Sequence, residues 1–229
     1  MASDFSMVIQ GSGGTGKTQS VICAVKEFVD VVCSKTDNNI WKKCVLLLGP
    51  TNMVAKAMGG STIDCGLLNR RSPQSGVKCC KLVKLVIVDE FSMVSLQWVD
   101  QISRALQEAK GQKEKPFGGV SVVWIGDVHQ LPPIMGQSVW TPIDVLKNAK
   151  DYCGRLLWTG EKWSERQSLS VLMKHQYCMQ EPLASISERF ANGDQTVSDA
   201  LLLSEKVLEE VVEDWELLFR NDHVRTRVL

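Results

Sequence analysis

Residues 11–18 read GSGGTGKT, set between an apolar run, FSMVIQ (5–10), and a stretch with one apolar stripe. In that stripe Val21, Val25, Phe28, Val29 and Val32 recur at three- and four-residue spacing, which predicts an amphipathic helix. A strand must therefore pass into a helix through a turn rich in glycine. Glycines let the backbone bend so that successive amides point inward at phosphate oxygens, and the helix adds its positive end. Every fixed position of GxxxxGK[ST] is filled, by Gly11, Gly16, Lys17 and Thr18. Ser12, Gly13, Gly14 and Thr15 supply the cradle between them. Lys17 brings a mobile positive charge for the β- and γ-phosphates, and Thr18 a hydroxyl for a magnesium ion. The ligand implied is a nucleoside triphosphate with Mg2+.

Three further apolar runs follow, CVLLLG (44–49), KLVIVDE (84–90) and VSVVWIGD (120–127). None alternates with polar residues, as expected of strands covered on both faces. After the third run Leu96, Val99, Ile102 and Leu106 mark a second helix. Strands alternating with helices imply an α/β fold, a mostly parallel sheet with helices on both faces. Such sheets bind ligands beyond the carboxyl ends of their strands, where the phosphate loop, Asp89–Glu90 and GDVHQ (126–130) all stand.

KGQKEKPFGG (110–119) reads as a surface connection, and LPPIMG (131–136) must leave the sheet because two prolines remove backbone donors. The texture changes near 168. Helices are expected around 182–191 and 200–214, the second with Leu203, Val207 and Val211 on one face, and LLFR (217–220) as a further strand. These give a domain of 1–168 and a mainly helical extension of 169–229.

Twenty-six Lys and Arg balance twenty-six Asp and Glu over 229 residues, which disfavours a purely electrostatic nucleic-acid binder. Eight cysteines include no CxxC pair, so a disulfide framework or a zinc site is not expected. No signal peptide is recognisable, and no apolar stretch approaches the roughly 20 residues of a membrane span. A reducing, intracellular setting is the expectation.

Asp89, beside Thr18, would hold magnesium through water, and Glu90 would orient and deprotonate the attacking water. An aspartate alone suits kinases and switches; the second acid points to hydrolysis. Gln130 can hydrogen-bond both the γ-phosphate and the lytic water, and so report hydrolysis to neighbouring loops. His129 is read as a loop or lining residue.

Taken together, GSGGTGKT, GPTNMVAKAMGGSTID (49–64), VDEFSM (88–93), PFGGVSVVWIGDVHQLPPI (116–134) and GRLLW (154–158) resemble the PIF-type DNA helicases. These are superfamily 1 enzymes related to RecD and to the helicase of Helitron transposons. The resemblance runs over roughly residues 6–195. It implies a RecA-like P-loop fold and an ATP-driven motor moving 5′ to 3′ on single-stranded DNA or at a DNA fork. It also implies a role in replication, repair, recombination or telomere upkeep. The implied compartment is the nucleus in a eukaryote, with mitochondrion or virus as alternatives.

Residue by residue, the second string matches a family pattern that lies along the DNA strand. Thr51 and Thr62 are positioned to donate to phosphates, and Gly60 to let the strand approach. Asn52, Val54 and Asp64 depart from that pattern, and Asp64 would repel phosphate where histidine is usual. Lys56, Arg70, Arg71 and Lys78 read either as a DNA track or as a solvated face. The family's arginine finger falls on LSVLMKHQ (169–176), where Lys174 or His175 takes its place. Lysine keeps the charge and loses the planar fork; histidine is mostly neutral at pH 7. Later motifs of a second motor domain are missing, so a fragment carrying the first motor domain and the start of the second is expected. The alternative is an ATP-binding module or degenerate copy without motor activity. A kinase is disfavoured by Glu90 and GDVHQLPP.

Overall fold

The computed structural model describes residues 4–33, 44–68, 80–160, 167–174 and 177–204. They fall into two compact units, Met1–Cys178 and Met179–Leu229. The first is built on a six-stranded, fully parallel sheet. Its strands are β1 (Phe5–Gly11), β2 (Val45–Gly49), β3 (Ser61–Thr62), β4 (Leu85–Val88), β5 (Ser121–Gly126) and β6 (Gln167–Met173). Their order across the sheet is β3-β2-β4-β5-β1-β6. Helices α1 (Lys17–Cys33), α2 (Asn52–Ala57), α3 (Leu96–Lys110) and α4 (Ala149–Thr159) belong to the same unit.

The four expected strands form, and their lack of polar alternation has a direct cause. Along β4, Val86 and Val88 enter one core and Ile87 the other; along β5, Val122 and Trp124 divide from Val123 and Ile125 in the same way. One core packs these residues against Leu96, Val99, Ile102 and Leu106 of α3 and Leu157 of α4. The other holds Val21 and Val25 of α1. The side chains of Phe28, Val29 and Val32 lie outside the described residues.

Local chemistry sets the ends of α3. Ser95 Oγ accepts from Trp98 N at 3.3 Å, and Gly111 closes the helix at φ 65°, a left-handed conformation that favours glycine. Helix α4 crosses α3 so closely that a Cβ on Gly154 would sit 2.0 Å from Leu96 O. An aromatic row ties the layer to the sheet: Trp124 lies 6.1 Å from Phe117 and 5.2 Å from Trp158, and Trp158 lies 5.2 Å from Phe91.

Two expectations are corrected. Residues 110–119 are not simply a surface connection. Phe117 is fully buried, at φ 51°, and its N–H donates to Ser103 Oγ of α3 at 3.0 Å. The aromatic ring needs the core, and a short 3-10 turn over Pro116–Gly119 delivers it there. The boundary expected at 168/169 falls inside β6, which pairs with β1 from Phe5↔Gln167 to Gly11↔Met173. Residues 169–173 therefore complete the sheet, and the units divide at Cys178/Met179. Residues 131–136 do leave the sheet, as expected, but their apolar side chains Leu131, Ile134 and Met135 stand in solvent.

The described part of the second unit is helical: α5 (Leu183–Asn192), then a helix over 197–204. Arg189 holds Asp199 through Nε and Nη2 at 2.9 and 2.5 Å. That guanidinium keeps the Asp199 carboxyl well below the usual carboxylate range, helped by the Thr196 amide. The expected helix beyond 204 and the strand at 217–220 lie outside the described residues. Among the described residues, no helix is long and apolar enough to cross a membrane.

Candidate nucleotide site

The carboxyl ends of β4, β5 and β1 are neighbours in the sheet, so the segments that follow them meet at one edge. The segment after β1 is the phosphate loop. Gly14 and Gly16 stand at φ 82° and 77°, which side-chain-bearing residues adopt at a cost. Thr15 Oγ1 ties the loop internally, donating to Ser12 O at 2.9 Å. Gly11 is fixed from outside: a Cβ there would lie 2.6 Å from Met173 O of β6. Lys17 is buried, and its ammonium donates to Gly11 O at 2.6 Å and Ser12 O at 2.9 Å. The charge is thus held inside the curve of the loop.

The acids come from β4. Asp89 Oδ2 accepts from Thr18 Oγ1 at 2.9 Å, joining side chains 71 residues apart in sequence. Asp89 Oδ1 accepts from Glu90 N at 2.9 Å. Glu90 takes the left-handed conformation, φ 52° and ψ 52°, rare for a residue with a side chain. The next residue explains how it is held. Phe91 is buried against Trp158, and Gly126 of β5 leaves the room; a Cβ on Gly126 would meet Phe91 Cδ1 at 2.8 Å and Phe91 N at 2.9 Å.

Glu90 Oε2 is buried with no hydrogen-bond partner among the described residues. Burial raises the Glu90 carboxyl above its ordinary value, and the charges of Asp89 and Asp127 push the same way while Lys17 opposes them. Burial also raises Asp89, against the Thr18 hydroxyl, the Glu90 amide and Lys17. The charges of Asp89, Asp127 and Lys17 all act on Glu90. The adjoining Thr18 hydroxyl and Asp89 carboxylate offer the oxygen donors magnesium takes. The residues present therefore fit a magnesium-bound triphosphate.

Gln130 lies at the end of the same β5 segment, half-buried, its N–H donating to Asp127 O at 3.1 Å. Asp127, buried, also accepts from His129 N at 3.0 Å, and so shapes the turn that carries Gln130. Sequence reading gave Asp127 no role; the GD pair closing a buried strand was the available signal. His129 is exposed, as a loop residue should be.

Lys174 follows Met173, the strand partner of Gly11, so it leaves the sheet beside the phosphate loop, exposed. His175 lies outside the described residues. Thr51 and Thr62 flank α2 and β3, away from the phosphate loop in sheet order. Each hydroxyl oxygen caps a local turn, Thr51 accepting from Val54 N at 3.3 Å and Thr62 from Cys65 N at 3.2 Å. Gly60 has an internal reason to be glycine: a Cβ would lie 2.4 Å from Leu47 O of β2. Lys56 is exposed, and Arg70, Arg71 and Lys78 lie outside the described residues.

Comparison with known proteins decides the family, because the PIF1-like helicase model matches residues 2–152. The chain belongs to the PIF1-like helicase family. Among PIF1-like relatives, the ATP-dependent DNA helicase PIF6 of Trypanosoma brucei brucei is 30% identical over 68% of this chain and 20% of its own length. The mouse ATP-dependent DNA helicase PIF1 is 32% identical over 56% of this chain and 20% of its own length. The fold agrees as well. A Bacteroides Pif1 helicase, solved in complex with ADP-AlF3 and ssDNA, superposes with TM-score 0.64 at 23% identity, over 88% of this chain and 46% of that one. The chain thus spans about a fifth of the length of these curated PIF1-like relatives and under half of the solved one.

Proposed function

We propose that this chain carries the nucleotide-hydrolysing half of an ATP-dependent DNA helicase that moves 5′ to 3′ on single-stranded DNA. The observation that carries the reading is the Thr18–Asp89 hydrogen bond, 2.9 Å, next to the enclosed Lys17 ammonium and the unpartnered Glu90 oxygen. ATP is the substrate. Amides from Ser12 to Thr18 cradle its phosphates, and Lys17 swings from the loop carbonyls to the phosphate oxygens. Thr18 and Asp89 would hold Mg2+, which when bound offsets charge on the β- and γ-phosphate oxygens. Glu90 orients a water and takes its proton. Its raised affinity for protons suits a general base working near neutral pH, and its buried oxygen is already stripped of solvent. Gln130 senses the γ-phosphate from the β5 edge.

Lys174, a charge without a fork, or His175 next to it takes the arginine-finger position. Loss of such an arginine can cost roughly 10³-fold in turnover. Thr51 and Thr62 accept local amides through oxygen, so each hydroxyl proton remains for a DNA phosphate. The unit Met1–Cys178, with β6 in its sheet, corresponds to the first motor domain and Met179–Leu229 to the start of the second, which unwinding would require in full. If the source is a eukaryote, work on DNA fits the nucleus first, with the mitochondrion or a virus as alternatives.

A second reading, an ATP-binding module without motor activity, draws on Lys174 standing in place of arginine. The two separate on one assay: phosphate release from Mg·ATP, with and without single-stranded DNA, by this chain and by this chain joined to a PIF1-like second motor domain. DNA-stimulated release in the joined protein supports the motor. Release or binding indifferent to DNA in both supports the module.

A further inference from the structure

Strand β6 and the residues after it touch the phosphate loop at three glycines. A Cβ on Gly11 would come within 2.6 Å of Met173 O, and a Cβ on Gly16 within 3.7 Å of the Tyr177 ring. Between them, the Tyr177 N–H donates to Gly14 O at 3.0 Å. That third contact bears on the loop's own amides. A trans peptide carries its C=O and N–H on opposite sides. With the Gly14 oxygen drawn toward Tyr177, the Thr15 N–H is turned the other way, where it meets Ser12 O at 3.4 Å.

Ser12 O receives more donors than it can satisfy. The Lys17 ammonium and the Thr15 hydroxyl each reach it at 2.9 Å, and a carbonyl oxygen has two lone pairs. The Thr15 amide is the third donor and the most distant, so it is the one most readily yielded to a phosphate oxygen. Its direction depends on Gly14, at φ 82°. Glycine's freedom would let the Gly14–Thr15 peptide turn over, aiming a carbonyl oxygen at the phosphates and repelling them. A hydrogen bond made to the Gly14 oxygen from beyond the loop opposes that turn.

We propose that Tyr177 is a positioning residue of the nucleotide site, acting through its main chain: its N–H holds the Gly14–Thr15 peptide so that the Thr15 N–H faces the phosphates. Tyr177 touches no reacting atom. The inference rests on the nucleotide-binding reading given above.

The test removes the N–H and keeps the ring, by replacing Tyr177 in the full chain with the α-hydroxy acid that bears the same side chain. The backbone amide becomes an ester. Calorimetry then compares the affinity of parent and ester for inorganic tripolyphosphate with Mg2+. The clamp predicts about fivefold weaker binding by the ester; equal affinity would overturn the proposal. A second measurement on the parent alone does not depend on how the ester folds. Hydrogen exchange at the Tyr177 amide should be slow without ligand and stay slow with Mg2+ and tripolyphosphate. Fast exchange without ligand, or protection lost on binding, would show that the loop takes phosphate without the clamp, and would overturn the proposal as well. A parent that binds no tripolyphosphate would instead refute the phosphate-loop reading itself, and the proposal with it.

Discussion

At the scale of single residues, the site works by putting charge where water is scarce. Lys17 is buried and bonded to two loop carbonyls, so removing it leaves the phosphates of a bound nucleotide without their nearest cation. Lys17→Ala should abolish ATP binding or weaken it severely, as calorimetry would show; unchanged affinity contradicts the assignment. Glu90→Gln should bind ATP normally and hydrolyse it at least about a hundredfold more slowly. The same substitution has a signature in stability. A carboxyl raised above its ordinary 4.5 in the folded state favours folding at low pH, and this contribution is lost as pH rises through the folded value. Glu90→Gln should therefore melt a few degrees higher than the parent at pH 7. The difference should close as pH falls toward the ordinary carboxylate range. A variant that melts lower at pH 7 would show that the charge is better compensated than its burial implies.

At the scale of elements, most of what positions the site was readable from sequence, for a physical reason. Strands β1, β2, β4 and β5 are covered on both faces, so their residues are mostly apolar and the polar motifs at their ends stand out. Edge strands are not so constrained. Strand β3 is two residues long, and β6 carries Leu169, Val171 and Leu172 exposed, so neither announces itself. The missed β6 displaced the expected boundary and hid the contact of Met173 with Gly11. Phe117 was missed because the polar and glycine-rich letters around it outweighed one aromatic residue. Gly60 was legible as small, but its closest neighbour is Leu47 of its own sheet. Gly126 shows how an element sets a backbone angle: it admits Phe91, which follows the turn at Glu90. Gly126→Ala should cost about 1–3 kcal/mol of stability through overpacking, measured by denaturant unfolding. It should also lower turnover more than it lowers ATP affinity. A variant with parental stability and turnover would show that Phe91 moves aside freely.

At the scale of the whole molecule, the parallel sheet gathers three loops distant in sequence along one edge, which is why a nucleotide site is the strongest feature of the chain. At the finger position, Lys174 stands beside the loop and is exposed. In the chain joined to a second motor domain, Lys174→Arg should raise DNA-stimulated phosphate release. A gain from His175→Arg with none from Lys174→Arg would move the finger by one residue. The central claim, however, is that the phosphate loop and the β4 acids form one magnesium–triphosphate site. Its most direct test is the affinity for ATP with Mg2+ and with the metal chelated, in the parent chain and in Asp89→Asn. The parent should bind ATP several-fold more tightly with Mg2+, and Asp89→Asn should lose that dependence while retaining metal-free binding. Equal dependence on Mg2+ in both proteins would place the metal elsewhere and contradict the account.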